Sequence, residues 1–534
     1  MSNASQPLPE DLDSLRVLAL KQHEVIGEQE RVIAARNAEI RQLAEYVRLL
    51  KQKHFGRASE KAAVLAQLGL FNEAEAAVDA EAKAAPKSVE IGAHTRTPRG
   101  RKPLPDWIPR VEELHDLADS EKVCPRDGAA LERIGEDASE QLEIIPAELR
   151  IVRHVRPKYA CPTCHEGVHA AALPPQPIPK SFASPALLAH VAVAKYADAL
   201  PLYRQETQLA RLGIELPRAT LAGWMVKAGE LVQPLINLLQ EDLVAGGSVQ
   251  CDETPFQVLK GTGKLATATS YLWVLRGVAR DRPLLLYTYA PSRGAEVPRR
   301  LLEGFRGVLQ TDGYAGYDEV GEQPGILHVG CWVHARRKFD EAVKSLSAAE
   351  RKAPADEAPL ALHALRQIGE LYRIEREHAL VEASPDVRLR VRTMHTRPVI
   401  EALRTWLDAS LPRVAPQTLT GKALAYLDAQ WPKLVRVLDD GRVALDTNLV
   451  ENAIRPFVLG RKNWLFADTA RGAEASASLY SLIESAKANG LEPTAYLRHV
   501  FTALPRATTL AEIEPLLPHR IDRAVLAEPR GSRG

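Results

Sequence analysis

Val249-Gln250-Cys251-Asp252-Glu253-Thr254-Pro255-Phe256-Gln257-Val258-Leu259 is the stretch on which the reading of this chain turns. Its β-branched, aromatic and small apolar residues predict a strand, and Gly246-Gly247 breaks the chain just before it. Asp252 in mid-strand is a poor core residue, because an unpaired buried charge is costly. A lone aspartate at a strand edge would need no explanation, but Asp252 has company. Gly307-Val308-Leu309-Gln310-Thr311-Asp312 predicts a second strand ending on an acid, and Asp446 to Pro456 places Glu451 near the start of a helix. Two strand aspartates and a helical glutamate can hold two divalent ions for phosphoryl transfer. Alternation along the strand turns Glu253, next to Asp252, to the opposite sheet face.

Working outward, strands are predicted over Ala266–Val278 and Pro283–Tyr289, then a helix near Gly294–Leu302, the Asp312 strand, a strand over Gly325–Trp332 and a basic helix from His334. Three early strands followed by alternating helices and strands, with acids on strands one and four, is the ribonuclease-H-like plan. Asp252 and Asp312 lie 60 residues apart, which suits it. The next interval, 139 residues to Glu451, is too long for the bare fold. Helical stretches at Ala361–Val381, Val387–Leu411 and Leu419–Leu438 fill it as an insertion. Arg455, Arg461, Lys462 and Arg471 follow Glu451 closely and suit phosphate contact; a surface basic loop is the alternative. His334 and Arg337 are expected near the site.

Upstream, Leu12, Ala19, Ile26, Ile33, Ile40 and Val47 recur every seven residues, with Leu15, Gln22, Gln29, Arg36, Leu43 and Leu50 as companions. This fits a coiled-coil seam between two chains, or one amphipathic helix packed on its own protein. Arg99-Gly100-Arg101-Lys102-Pro103 resembles an AT-hook arm for the minor groove; a solvated linker is equally consistent. Cys124-Pro125-Arg126-Asp127 and Cys161-Pro162-Thr163-Cys164, with strands predicted between them (Gln141–Pro146 and Leu149–Tyr159), form a zinc-ribbon pattern. One carboxylate stands there in place of a thiolate: Cys124, Asp127, Cys161 and Cys164 can close a tetrahedral site. The alternative is a ribbon that folds without metal. Leu173 to Pro179 is a stiff Pro-rich linker. Helices opening at Pro185 and Pro201, a turn at Gly213–Pro217 and a helix from Arg218 make a helix-turn-helix pattern, with Arg218 and Thr220 facing DNA, or a plain three-helix bundle.

Composition sets the outer bounds. The 534 residues suggest three or four domains, and 46% hydrophobic with 26% charged residues is globular. A net charge of +1 leaves any nucleic-acid surface local. Five cysteines argue against a disulfide scaffold. With no signal-peptide pattern and no apolar run of about 20 residues, a cytoplasmic bacterial protein is expected.

Several longer strings carry a resemblance: Phe55-Gly56-Arg57, the cysteine knuckles, Lys195-Tyr196-Ala197-Asp198, Thr311-Asp312-Gly313-Tyr314, Cys331 to Phe339, Asn448 to Phe466, and Leu479 to Glu484. Over nearly its whole length the chain resembles the insertion sequence 66 family of bacterial transposases, the large TnpC-type protein. The resemblance implies an Asp-Asp-Glu triad of Asp252, Asp312 and Glu451 using two Mg²⁺ (or Mn²⁺) ions. It implies cleavage at the element's ends and attack of the freed 3′-hydroxyls on target DNA. It also implies a zinc-binding domain, where Asp127 stands in for a cysteine, and small accessory proteins of the same element. A DNA-binding regulator without catalysis and a nuclease that cuts without joining are the rival functions.

The expected fold is multidomain α/β: a coiled-coil helix at 1–60, a linker with the AT-hook-like segment at 61–109, a zinc-ribbon-like domain at 110–172 and helix-turn-helix-like helices at 180–245. The ribonuclease-H-like core is expected at 246–343 and 441–490, split by the helical insertion at 344–440, with a C-terminal helical segment and tail at 491–534. The expected partners are DNA, further copies of the chain and the accessory proteins, with nucleoid association and no membrane.

Overall fold

The computed structural model describes residues 11–55, 149–160, 168–261, 265–278, 282–354 and 358–526. The AT-hook-like Arg99, Arg101 and Lys102 and the knuckle residues Cys124, Asp127, Cys161 and Cys164 lie outside them. Two compact units are present, residues 76–173 and the rest.

In the smaller unit, β1 (Lys158–Ala160) and β2 (Val168–Ala170) pair antiparallel. The strand expected from Leu149 is shorter than its sequence suggests, since Leu149–Pro157 carries no regular structure. Ile151 there is 97% exposed. Apolar alternation makes a strand only where a covered sheet face receives it.

The larger unit begins with α1 (Leu12–Phe55), one uninterrupted helix. Val25, Ile26, Val32, Ile33 and Val47 are exposed along it. Four helices precede the sheet: α2 (Pro185–Tyr196), α3 (Leu202–Arg211), α4 (Arg218–Leu231) and α5 (Gln233–Ala245). Ser184 caps α2 through the amide of Leu187, with Pro185 in the first turn, where its missing N–H does no harm. The turn between α3 and α4 uses Gly213 at φ 80°, as expected from the sequence.

The sheet holds β3 (Ser248–Lys260), β4 (Thr269–Gly277), β5 (Leu285–Ala290), β6 (Gly307–Gln310), β7 (Ile326–Val329) and β8 (Phe466–Thr469). The order is β5-β4-β3-β6-β7, antiparallel from β5 to β3 and parallel from β3 to β7. One edge of β3 changes partner along its length. Ser248–Gln250 pair with β6, whereas Gln257, Val258 and Lys260 pair with β8. Between them β3 has a strand on only one side, and Asp252 sits in that gap. β3 runs one residue further at each end than the predicted Val249–Leu259, whereas β6 stops short, leaving Asp312 two residues beyond it, and the helix expected from His334 starts at Trp332.

Alternation on β6 separates two hydrophobic cores. Leu309 belongs to a core formed by α2 to α5, the sheet and the C-terminal helices, so the helices before the sheet share its core. Val308 points into a second core with α7 (Trp332–Lys344) and the inserted helices α8 (Leu360–Glu377), α9 (Arg397–Ser410) and α10 (Leu419–Leu434). Label α6 denotes the short helix Glu296–Leu301 between β5 and β6. Beyond the insertion come α11 (Asn448–Trp464), α12 (Ala470–Ala488) and α13 (Pro493–Ala503).

The exposed edge of β5 is closed by α12. Ser485 Oγ accepts from Leu285 N (3.0 Å) and Ser481 Oγ from Tyr287 N (2.8 Å), and Ser485 also donates to Leu285 O (3.1 Å). Serines four residues apart lie on one helix face, so one helix supplies both partners. Behind it α12 packs tightly on α4: a Cβ on Gly229 would lie 2.5 Å from Ala475 Cα.

Candidate active site

Asp252 and Asp312 are half-buried, and each is oriented by a backbone amide. Asp252 Oδ1 accepts from Glu253 N and Asp312 Oδ1 from Tyr314 N, both at 2.8 Å. Glu451 lies in the first turn of α11, where an acid is favoured by the helix dipole, and is 4% exposed. Thr447 Oγ1 donates to its Oε1 at 3.2 Å, His334 Nε2 stands 3.7 Å from the same oxygen, and Arg337 Nη2 lies 3.6 Å from Oε2.

Asp252 feels the other two acids. Burial, then the charges of Glu253, Asp312 and Glu451, push the Asp252 carboxyl well above the usual carboxylate range. Burial also raises Asp312, against the opposing pull of the Tyr314 amide, Arg293, Lys433 and Arg337. A buried carboxyl crowded by further acids creates a local demand for positive charge, and an all-oxygen donor set suits hard divalent cations. The residues therefore fit the metal ions that the Asp-Asp-Glu arrangement implies.

Two residues that the sequence reading passed over fasten this arrangement. Gln250 and Gln310 are directly paired across β3 and β6, each two positions before its aspartate. Gln250 Nε2 donates to Gln310 Oε1 (2.9 Å) and to Asp446 O (2.8 Å), while its Oε1 accepts from Val450 N (3.2 Å). Gln310 Nε2 donates to Ala444 O at 2.8 Å. The glutamines thus tie the segment leading into Glu451 to both strands. The Gln-x-Asp repeat at 250–252 and 310–312 was a visible signal for them. Arg276 on β4 adds a bond to Leu449 O at 3.2 Å.

The insertion supports the same segment from its far side. Arg392 is fully buried in a π-type turn, Arg392–Thr396, and makes a bidentate pair with Glu375 at 2.7 and 3.0 Å. Its remaining nitrogen donates to Val437 O and to Val443 O, three residues before Asp446.

Glu253 has both oxygens occupied. Arg293 pairs with Oε1 and Tyr317 OH donates to Oε2 at 2.7 Å. Arg293 also lies 3.8 Å over the Tyr314 ring, beside Asp312.

Of the expected DNA-facing residues, Arg337 stands at Glu451, whereas Arg218 and Lys462 are exposed and Thr220 and Arg455 half-exposed elsewhere. Arg461 turns inward instead, donating to Pro255 O and Thr254 Oγ1, because the end of α11 must be fixed against β3 before β8 begins. Arg471 pairs with Glu230.

Residues 180–475 match the family model described as "Transposase IS66 family". This chain belongs to that family. Further matches within the IS66 transposase are its zinc-finger binding domain (121–165), its C-terminal element (481–519) and a segment described as "Transposase C of IS166 homeodomain" (42–112). "Uncharacterized protein y4qI" of Sinorhizobium fredii is 32% identical to this chain, over 96% of it and 97% of that protein. "Uncharacterized protein y4jD" of the same organism is 35% identical over 78% and 81%. No solved structure matches. Among the described residues, no helix is long and apolar enough to cross a membrane.

Proposed function

We propose that this IS66 transposase cleaves DNA strands at the ends of its insertion sequence and joins them to target DNA, with Asp252, Asp312 and Glu451 as its catalytic acids. The observation that carries this reading is the convergence on Asp252, in the gap of β3, of Asp312 just beyond the adjoining β6 and of Glu451 in the first turn of α11, whose charges, after burial and Glu253, raise the Asp252 carboxyl. The strand order and the gap in β3 support the ribonuclease-H-like plan expected from the sequence.

The three carboxylates bind the divalent ions, Mg²⁺ or Mn²⁺, with Gln250 and Gln310 keeping Glu451 in register with the aspartates. When bound, such ions supply activation of the attacking hydroxyl and stabilisation of the leaving oxygen. Arg337 at Glu451 and Arg293 at Tyr314 flank the acids and offset phosphate charge. Binding to DNA rests on other elements: Arg218 and Thr220 at the start of α4, the AT-hook-like Arg99, Arg101 and Lys102, and the cations Arg455 and Lys462. The match to a family zinc-finger domain supports one structural Zn²⁺ on Cys124, Asp127, Cys161 and Cys164. The heptads of α1 support a homo-oligomer, and small accessory proteins of the element complete the assembly in the bacterial cytoplasm.

Incubating the protein with labelled element ends and a target plasmid tests the reading. Joined products are the expected outcome. Cleavage without joining makes the protein a nuclease, and end binding alone makes it a regulator.

A further inference from the structure

His334 is not used by the reaction just described, yet its surroundings are unusual. It lies in the first turn of α7 with its side chain only 19% exposed. Nδ1 is buried without a hydrogen-bond partner. Nε2, at 3.7 Å from Glu451 Oε1, is too far for a hydrogen bond. Neither polar end of a largely buried ring is therefore satisfied by hydrogen bonding to the protein, and such groups call for an explanation.

The ring also sits among donor atoms. A nitrogen of His334, an oxygen of Glu451 and the sulfur of Cys331 all lie within 4.8 Å of one another. The sulfur is already engaged, accepting from Thr447 N at 3.3 Å, with the Thr447 hydroxyl, shared with Glu451, also 3.3 Å away. These contacts hold the turn before α11, leaving the imidazole and the carboxylate to face each other at a spacing that one cation can bridge.

We propose that His334 is a nitrogen ligand to the divalent ion held at Glu451. This rests on the reading of the three acids as metal ligands and goes beyond it. The two ion positions then differ in kind: the position shared by the aspartates is all-oxygen, and the one at Glu451 is mixed nitrogen and oxygen. Imidazole binds Mn²⁺ and later first-row ions better than it binds Mg²⁺, so the Glu451 position favours Mn²⁺ and the other accepts either ion.

The test uses full-length protein without DNA, loaded with Mn²⁺ and examined by pulsed electron paramagnetic resonance, which detects nitrogen bonded to the metal. The expected result is one Mn²⁺ population with imidazole nitrogen coupling, absent in His334→Gln, together with at least about a tenfold loss of Mn²⁺ affinity at that position. His334→Asp should recover most of the affinity without the nitrogen signal, which separates ligation from a folding defect. If Mn²⁺ binds in a manner dependent on Asp252 and Glu451 but shows no imidazole coupling, or if the coupling survives in His334→Gln, the histidine assignment is wrong while the triad stands. If Mn²⁺ binding is absent, or indifferent to Asp252→Asn and Glu451→Gln, both readings fall together.

Discussion

Replacing Gln250 by Leu keeps the approximate size of a side chain that is 0% exposed but removes its polar head. Three partners are affected. Gln310 Oε1 and the Asp446 carbonyl each lose a donor, while Val450 N retains a second acceptor in Thr447 O at 3.1 Å. Two newly unpaired groups in a buried position cost about 1–3 kcal/mol each. Better burial of the apolar leucine offsets about 1 kcal/mol. A net loss of about 1–5 kcal/mol follows, and a fold of ordinary stability survives it. The larger effect should fall on catalysis, because the residue after Val450 is Glu451. Displacing one catalytic group by about 1 Å can cost about a hundredfold in rate. Urea unfolding with and without Mn²⁺, alongside cleavage of labelled ends, measures both. Ser485→Ala is the matched control, since it unpairs the β5 edge and leaves the acids alone. If Gln250→Leu and the control lose similar stability and both cut within threefold of the parent, the glutamines are structural only.

Asp252→Asn, Asp312→Asn and Glu451→Gln should each nearly abolish cleavage and joining, without additive effects, while end binding persists. Asp252→Asn should also raise the metal-free melting temperature, because it removes a charge opposed by burial and by its neighbours; a clear drop contradicts the electrostatic account. Glu253→Gln should retain the Mn²⁺ response and change stability by no more than about 1 kcal/mol in unfolding curves, because the pairing lost with the 41% exposed Arg293 is set against removal of a charge that burial and Asp312 oppose. Burial, with Lys433 nearby, pushes the His328 imidazole down to about 4 from 6.5, so the unfolded chain binds the extra proton as pH falls through that window. The contribution of His328 to stability is thus intact above pH 6.5 and declines toward pH 4, by about 2 kcal/mol at pH 5, and a His328→Gln variant should have a flatter pH profile. Ile26→Lys with Ile33→Lys should shift the full chain to a smaller species in sedimentation; an unchanged value means that α1 joins no copies.

Much of the layout around the candidate site was legible because it obeys local rules. Alternation marked the Asp252 strand, short apolar runs marked its neighbours, and the 139-residue interval exposed the insertion. What escaped was set by tertiary packing. Gln250 and Gln310 read as ordinary strand residues until pairing brought them face to face. The inward turn of Arg461 depends on where α11 ends, at Leu465 with φ 66°, a stop that no glycine announced. Arg392 falls within the helix predicted over Val387–Leu411, a pattern that gave no sign of the π-type turn in which it pairs with Glu375. Leu149–Pro157 failed in the other direction, with a strand-like sequence but no paired strand.

The bonds that complete the sheet and the candidate site are very distant in sequence. Gln250 reaches Asp446 across 196 residues, and Leu285 reaches Ser485 across 200. At about 5–20 residues per second, a ribosome needs about 10–40 s to deliver that length of chain. During this interval the nascent polypeptide carries both aspartates but no glutamate, and β5 has an uncovered edge able to pair with another chain. Synthesis therefore passes through a stage that lacks Glu451 and so the complete candidate site, yet is prone to aggregation. Yield on expression should depend on chaperone capacity, and substitutions at Ser481 and Ser485 should reduce soluble yield more than their effect on the finished fold would suggest.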